Sequence, residues 1–142
     1  DLLVYQYYGH KREHMAQVAA LAEQLGQEGS VRHFNEALNR RDIDGMMEML
    51  TPTSHFENTS PAPDGTRYEG KEAVRAFWDG FFEEAATTEI EVEELFGSGD
   101  RCVMRWRYRW VDRANQPGHV RGIDLYTLRN GQIAEKLSYV KG

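Results

Sequence analysis

An aspartate in a strand-like stretch near the C-terminus is the residue with the clearest chemical potential. Asp124 lies between Ile123 and Leu125 in RGIDLYTLRNGQIAEK, residues 121 to 136, a pattern typical of two strands around an Asn-Gly turn. An unpaired charge inside a core is costly, so a buried acid must be paired or held neutral for a purpose. If its side chain faces inward, Asp124 is a candidate general acid or base.

The length of the turn decides which residue faces Asp124 across the hairpin. If Asn130 and Gly131 form a two-residue type I′ turn, Asp124 lies opposite Leu137. If the turn has three residues with Gly131 in the left-handed conformation, Asp124 lies opposite Lys136. A leucine favours a neutral acid that donates a hydrogen bond, whereas an ammonium favours an ionised acid in an ion pair. The hairpin residues alone leave both arrangements open.

A possible metal motif lies near the start of the chain. HKREH, residues 10 to 14, matches the H-x-x-E-H pattern of inverted zinc proteases, but such a site needs a third ligand. No specific third ligand follows, so we predict a solvated helix start and no metal. The chain contains no G-x-S-x-G, P-loop or G-x-G-x-x-G motif, and no cofactor is expected.

Composition narrows the class of partner. The chain has 142 residues with 40% hydrophobic content, enough for one domain with a single core. Its formal charge of -6 argues against binding to nucleic acid or an anionic membrane, because both require a positive field. No apolar run reaches membrane-spanning length, and the single cysteine, Cys102, is expected to be a buried hydrophobe. We therefore expect a small-molecule or protein partner and a cytoplasmic location.

Helical spacing of apolar residues comes first along the chain, and strand-like alternation follows. EHMAQVAALAEQLG indicates a first helix, Ser30 is an N-cap candidate for VRHFNEALNRR, and Asp42 is one for a short helix. Another helix is predicted from Lys71 to about Glu84, with Val74, Phe77, Trp78 and Phe81 buried. The predicted strands are Ser54–Asn58, Thr88–Phe96, Arg101–Val111, Val120–Leu128 and Gln132–Val140. Helices followed by antiparallel strands indicate an α+β domain.

Charges alternate with apolar residues on two neighbouring predicted strands. Glutamates alternate with Ile90 and Val92, and arginines alternate with Met104, Trp106 and Tyr108. Period two places acids and arginines on one face and aromatics on the other, and a three-residue connection would place Glu91 near Arg105 and Glu89 near Arg107. An RNA-binding platform would need rings and guanidinium groups on one face, so this alternative is rejected.

The layout from Ser30 to the C-terminus resembles the nuclear transport factor 2-like superfamily. The motifs that carry the resemblance are N-R-R-D, H-F-E-N, Y-E-G-K-E-A-V and L-R-N-G-Q-I-A-E, and within the superfamily they are most similar to SnoaL-like proteins and ketosteroid isomerase. The resemblance implies an N-terminal extension with a helix over 1–29 and a SnoaL-like domain over 30–142. It also implies a cone, in which a curved antiparallel sheet wraps the helices around an apolar pocket, and a homodimer.

The resemblance assigns roles to individual residues. Asp124 matches the aspartic acid that ketosteroid isomerases keep protonated as an oxyanion donor, a known case of a neutral buried acid. Phe34 stands where those enzymes have the partner tyrosine, and Asn58 stands where they have the aspartate base. The family layout also favours the three-residue turn, and we therefore predict an inward Lys136 that keeps Asp124 ionised, as a base or an orienting anion.

Two other enzyme groups share the layout but differ in their catalytic residues. One group is the limonene-epoxide hydrolases. Phe56 and Asn58 of this chain resemble the residues that hold water in those enzymes, while Trp106 and Tyr108 occupy the places of their catalytic arginine and first aspartate. Ser138 stands at the place of their second aspartate, which is also that of the base in SnoaL-like polyketide cyclases. Each known catalytic set is therefore incomplete in this chain, and whether the protein is an enzyme stays open.

The resulting prediction is an aromatic pocket for a small hydrophobic molecule, polycyclic or terpenoid-like, with Asp124 as the catalytic residue. Isomerisation, cyclisation or hydration is one possibility, and a noncatalytic carrier of a hydrophobic ligand is the alternative. Apolar side chains predicted on the outer face of the sheet favour a homodimer; they are Ile123, Leu125, Ile133 and Leu137. The expected ligand-binding residues are Phe34, Phe56, Asn58, Trp78, Trp106, Tyr108, Tyr126, Lys136 and Ser138.

Overall fold

A computed structural model describes residue 17 and residues 26–141 of the chain. Two helices begin this part, α1 over 26–39 and α2 over Ile43–Glu48. The remaining elements are β1 Leu50–Glu57, β2 Arg67–Glu69, α3 Lys71–Glu84, β3 Ala85–Ser98, β4 Arg101–Asp112, β5 Pro117–Arg129 and β6 Gln132–Val140. The strands form one curved, unclosed six-stranded sheet in the order β2-β1-β6-β5-β4-β3. The predicted α+β fold class is confirmed, and the pairing of β1 with β6 is parallel, whereas the other neighbouring strands are antiparallel.

The helices cover the inner face of this sheet. Val31, Phe34 and Leu38 of α1 are fully buried, as their helical spacing predicted. Ser30, predicted as an N-cap, is instead a buried residue within the helix, because the helix already includes 26–30. The helix thus continues across the proposed boundary between 1–29 and 30–142, and that division stays a prediction. The first predicted helix, through EHMAQVAALAEQLG, lies mostly outside the described residues, and the HKREH motif lies wholly outside them.

Two predicted helices are confirmed, α3 at both ends and α2 at its N-terminus, whereas Leu50, predicted in the short helix, begins β1. The Asp42 side chain accepts a hydrogen bond from the Gly45 backbone N–H at 3.0 Å and so caps α2. Helix α3 spans the predicted range and buries Val74, Trp78 and Phe82, which are spaced by four residues along one side. Phe81, predicted as buried, is half-buried beside this row. Among the described residues, no helix is long and apolar enough to cross a membrane.

The turn between β5 and β6 differs from the prediction. It is a two-residue turn, with positive φ values of 53° at Asn130 and 77° at Gly131, as a type I′ turn requires. The predicted three-residue turn is therefore wrong. A bulge then skips Ala134, so that Asp124 pairs with Ser138, and neither Leu137 nor Lys136 lies directly opposite the acid.

The two-residue turn reverses one predicted orientation on β6, because it pairs Ile133 with the inward-facing Leu128. Ile133, predicted to face outward, is fully buried. Side chains alternate along a strand, so Ile133 and Lys136 could not both face inward without the extra residue between them. Both are buried, which shows how the bulge changes the face that β6 presents.

The β3–β4 hairpin has the predicted faces but a different register. Cys102, Met104 and Trp106 are buried on the inner face of β4, as predicted. Glu91 pairs with Arg107 instead of Arg105, and Glu89 with Arg109 instead of Arg107. The prediction was wrong because β3 continues to Ser98, two residues connect the strands, and a bulge interrupts the ladder at Glu93. Arg105 instead contacts Glu93 at 3.3 Å and Glu94 at 3.7 Å.

Candidate functional site

Asp124 faces the interior from the middle of β5. Its side chain lies between Met104 of β4 and Ser138 of β6, its direct cross-strand partners, and the residue is only 3% exposed. Gly122 and Tyr126, two positions away on either side, are also buried, whereas Ile123 is exposed. The predicted inward orientation of Asp124 is thus confirmed, and the acid needs partners inside the sheet.

Lys136 supplies one of these partners from β6. Its Nζ lies 3.7 Å from Asp124 Oδ2 and donates a hydrogen bond of 3.1 Å to Ser138 Oγ. The ammonium also lies over the rings of Phe56 and Trp78, at 5.1 and 5.6 Å from their centroids. The predicted closeness of Lys136 and Asp124 is confirmed, although it arises diagonally across the strands and not from direct pairing.

Tyr126 and Asn35 extend the polar network in the other direction. The Tyr126 hydroxyl donates to Asp124 Oδ2 at 3.3 Å and accepts a hydrogen bond from Asn35 Nδ2 at 3.4 Å. Burial, reinforced by the charge of Asp124, raises the pKa of Tyr126 well above its usual value, so its hydroxyl keeps its proton. Sequence reasoning missed Asn35, whose signal was a single amide among the apolar residues Phe34, Ala37 and Leu38 of α1.

Several buried polar atoms near this network have no hydrogen-bond partner within the described part of the chain. They are Asp124 Oδ1, Asn35 Oδ1 and the indole Nε1 atoms of Trp78 and Trp106. Buried polar groups in folded proteins nearly always have partners, so each exception requires an explanation. These atoms include both acceptors and donors that make no hydrogen bond within the described residues.

Aromatic side chains form most of the surroundings. Phe34 and Phe56 meet edge to face, with ring centroids 5.9 Å apart. Trp106 lies over the backbone of Gly122, where a Cβ atom would be 2.6 Å from Trp106 Cζ2. The close approach of this indole therefore requires glycine at that position.

Tyr108 lies away from Asp124. It pairs with Val120, four residues from Asp124 along β5, which corresponds to roughly 13 Å. Its ring stacks on Trp110 and lies 5.5 Å from that of Phe81, and burial raises its pKa to about 12. Together these residues line a separate cleft of about 290 Å³.

Asn58 and Ser138 lie at the edge of the interior. Asn58 Oδ1 accepts hydrogen bonds from the backbone N–H groups of Thr66, at 2.7 Å, and Ser60, at 3.3 Å, so its carbonyl organises the loop after β1. Both Asn58 and Ser138 line a cleft of about 460 Å³ between this loop and the end of β6. The interior itself brings together most of the predicted site, namely Phe34, Phe56, Trp78, Trp106, Asp124, Tyr126 and Lys136. Their roles in binding stay predictions.

A metal centre has no support in the described residues. Across residue 17 and residues 26–141, no group of three or more His, Cys, Asp or Glu side chains could hold a metal ion. His55, a possible ligand by type, instead contacts Glu135, with 2.7 Å between Nε2 and Oε2. The Cys102 thiol is buried in the core, which raises its pKa to about 11.

Comparison with protein families gives one clear match. The SnoaL-like domain family matches residues 31–136, which includes every predicted site residue except Ser138. A search of curated proteins gives no match.

Solved structures with the same fold include several similar chains. A nuclear transport factor 2-like protein of unknown function from Mesorhizobium loti is 34% identical, with a TM-score of 0.67 over 80% of this chain and 88% of that one. A candidate SnoaL-like polyketide cyclase from Shewanella denitrificans is 15% identical, with a TM-score of 0.71 over 81% and 90%. A hypothetical protein of ketosteroid isomerase-like fold from Catenulispora acidiphila, in complex with trimethylamine, is 12% identical, with a TM-score of 0.72 over 80% and 86%.

Proposed function

The chain belongs to the SnoaL-like domain family, and from this membership and the interior around Asp124 we propose that it binds a small hydrophobic molecule within the curve of its sheet. The ligand is a polycyclic or terpenoid-like carbonyl compound, and Asp124 acts on it as a base in an isomerisation, cyclisation or hydration. The candidate polyketide cyclase of the same fold supports this ligand class by analogy.

The proposal rests on the different contacts of the two carboxylate oxygens of Asp124. Oδ2 is held by Lys136 and Tyr126, whereas Oδ1 is buried without a hydrogen-bond partner in the described part of the chain. A carboxylate held in place through one oxygen can accept a proton through the other, and removal of a proton next to a carbonyl requires such a base. The neighbouring rings of Phe56 and Trp78 suit the apolar body of the ligand.

A noncatalytic carrier is the second candidate. It is favoured by Asn58, which stands where ketosteroid isomerases have their base and whose Oδ1 accepts hydrogen bonds from loop amides. Under this alternative, the Asp124 network positions a ligand carbonyl or hydroxyl but transfers no proton. The two candidates differ in turnover and not in binding.

Tryptophan fluorescence tests binding. A panel of steroids, terpenes and aromatic polyketide-like ketones should change the emission of the wild-type protein, and Trp78→Phe should lose most of this change. Trp110→Phe is the matched control, because Trp110 lines a cleft with Phe81 and Tyr108 and does not contact the Asp124 network. If no compound alters either fluorescence or thermal stability, the proposed site is wrong.

Turnover separates the two candidates. For any compound that binds, exchange of its α-protons in deuterated water should be catalysed by the wild type and lost in Asp124→Asn, while binding to this variant persists. Binding without exchange or isomerisation in the wild type would instead support the carrier.

Two further features are proposed with this function. Pairs of the chain associate through the outer sheet face, where Ile123 is 42% and Tyr139 is 58% exposed beside a cleft of about 400 Å³. The cytoplasmic location expected from the single cysteine stays a prediction.

A further inference from the structure

Lysine is rare in this chain, and one lysine lies in the interior. The sequence contains 13 arginines and only four lysines, at positions 11, 71, 136 and 141. Surface ion pairs among the described residues use arginine, as in Arg67 with Glu57 and Arg75 with Asp44. Lys136 is 8% exposed and is the cation that faces the buried acid Asp124. The presence of a lysine at this position, where an arginine would supply the same charge, therefore needs an explanation.

The contacts of Lys136 are not those of an optimised ion pair. An arginine at such a site could bind a carboxylate through two parallel hydrogen bonds. Lys136 Nζ instead lies 3.7 Å from Asp124 Oδ2, which is longer than a hydrogen bond, and donates to the neutral Ser138 hydroxyl. Two aromatic rings occupy space where water would otherwise solvate the ammonium. An amine in these surroundings, with a proton acceptor beside it, suits nucleophilic chemistry.

We propose that Lys136 forms a Schiff base with an aldehyde or ketone group of the hydrophobic ligand. This inference rests on the proposed function, because it requires the ligand to occupy the interior next to Asp124. It narrows the substrate class to compounds whose carbonyl group is free to react with a primary amine.

The reaction balances with groups already present. Asp124 takes one proton from the Lys136 ammonium, and the Nζ lone pair forms a bond to the carbonyl carbon as the C=O π bond breaks. The oxygen then leaves as water with two protons that both derive from the ammonium, one of them returned by Asp124. The products are water and a protonated imine that carries the original positive charge. The carboxylate of Asp124 and the rings of Phe56 and Trp78 then stabilise this cation.

A cleft lies close to Nζ, although Lys136 itself does not line it. Ser138, whose Oγ is 3.1 Å from Lys136 Nζ, lines the cleft of about 460 Å³ at the edge of the interior. A carbonyl compound in this cleft would reach the amine by displacing the Ser138 hydroxyl from Nζ. Once the imine has formed, Asp124 Oδ1, which has no hydrogen-bond partner among the described residues, is suited to remove a proton from the adjacent carbon, which the iminium group acidifies.

Reductive trapping tests the inference on the whole chain. The protein is incubated with 2-naphthaldehyde or 2-acetylnaphthalene and sodium cyanoborohydride, and peptide mass mapping locates the adducts. Lys136 should be labelled at least tenfold faster than Lys71 and Lys141, and Asp124→Asn should slow this labelling by a similar factor. Lys71→Met is the matched control and should leave labelling at Lys136 unchanged, because Lys71 lies at the start of α3.

The outcomes separate this inference from the proposed function. If the naphthyl compounds change tryptophan fluorescence but Lys136 is labelled no faster than Lys71 and Lys141, the Schiff base is wrong and the binding site stands. If the compounds neither bind nor label Lys136, both proposals fail for this ligand class. The rate of labelling at Lys136 is measured on the wild-type protein, so the test of the Schiff base does not depend on whether a variant at Lys136 folds.

Discussion

Replacing Lys136 by methionine should lower the free energy of unfolding by about 3 to 5 kcal/mol at neutral pH. Methionine keeps most of the aliphatic stem but removes the ammonium, so a buried carboxylate loses its counter-charge. At the 3.7 Å between Nζ and Asp124 Oδ2, and with an effective dielectric constant of about 20, the lost attraction amounts to roughly 4.5 kcal/mol. Both side chains are buried, which limits screening by solvent.

Chemical denaturation with urea measures this loss, and the melting temperature should fall by roughly 10 °C or more. Lys141→Met is the matched control, because it removes the same charge from an exposed position and should change stability by less than about 0.5 kcal/mol. Asp124→Asn should cost less than Lys136→Met, since an amide can still accept the hydrogen bond from Tyr126.

The double variant gives the decisive comparison. Because Asp124→Asn removes the charge that Lys136→Met leaves unpaired, the two substitutions together should cost about 2 kcal/mol less than the sum of the single costs. Strict additivity, or a loss below about 1 kcal/mol for Lys136→Met alone, would refute the buried ion pair.

Three further results are expected. Gly122→Ala should destabilise the protein by roughly 1 to 3 kcal/mol in urea denaturation, because its Cβ would lie 2.6 Å from Trp106 Cζ2 and 2.3 Å from a backbone oxygen; an unchanged midpoint would contradict this packing. The hydrogen bond from His55 lowers the pKa of Glu135 from its ordinary 4.5, so Glu135→Gln should remove stability that is present near pH 6 and is lost as the pH falls below about 4.5. A stability difference that grows on acidification would oppose this linkage. Sedimentation at micromolar concentration should show a dimer that Ile123→Glu dissociates, and a wild-type monomer would rule out the proposed interface.

The faces of the strands and most helix positions could be predicted from the sequence. The alternation around Trp106 predicted the buried face of β4, and such features follow from periods of two and 3.6 residues, which depend on the local backbone. The inward orientation of Asp124 came instead from the family resemblance, because its apolar neighbours Ile123 and Leu125 lie on the opposite face of the strand. The cap at Asp42 was equally predictable, because a side chain bonds an amide three residues away.

The strand registers could not be predicted in this way. Bulges at Glu93 and Ala134 each insert one residue. The first shifted the arginine ladder, and the second kept Lys136 on the inner face although the two-residue turn had already placed Ile133 there. The free energy that favours a bulge comes from packing across the whole sheet, so the position of a bulge cannot be predicted from a short stretch of sequence. The local sequence of the Asn130-Gly131 turn allowed two turn lengths, and the shorter one is observed. The bulge beyond the turn then decides that Asp124 pairs with Ser138.

The sequence by itself thus determined the fold class and the aromatic character of the interior, because composition and periodicity carry that information, and its resemblance to a known superfamily implied the inward acid. Only the tertiary structure decided which groups meet there. It brought Asn35 of α1 to Tyr126, placed Tyr108 roughly 13 Å along the sheet from Asp124, and joined β1 to β6 in parallel so that Phe56 lies beside Lys136. These contacts join segments far apart in the chain, and their geometry depends on how the helices pack against the curved sheet and not on any local preference.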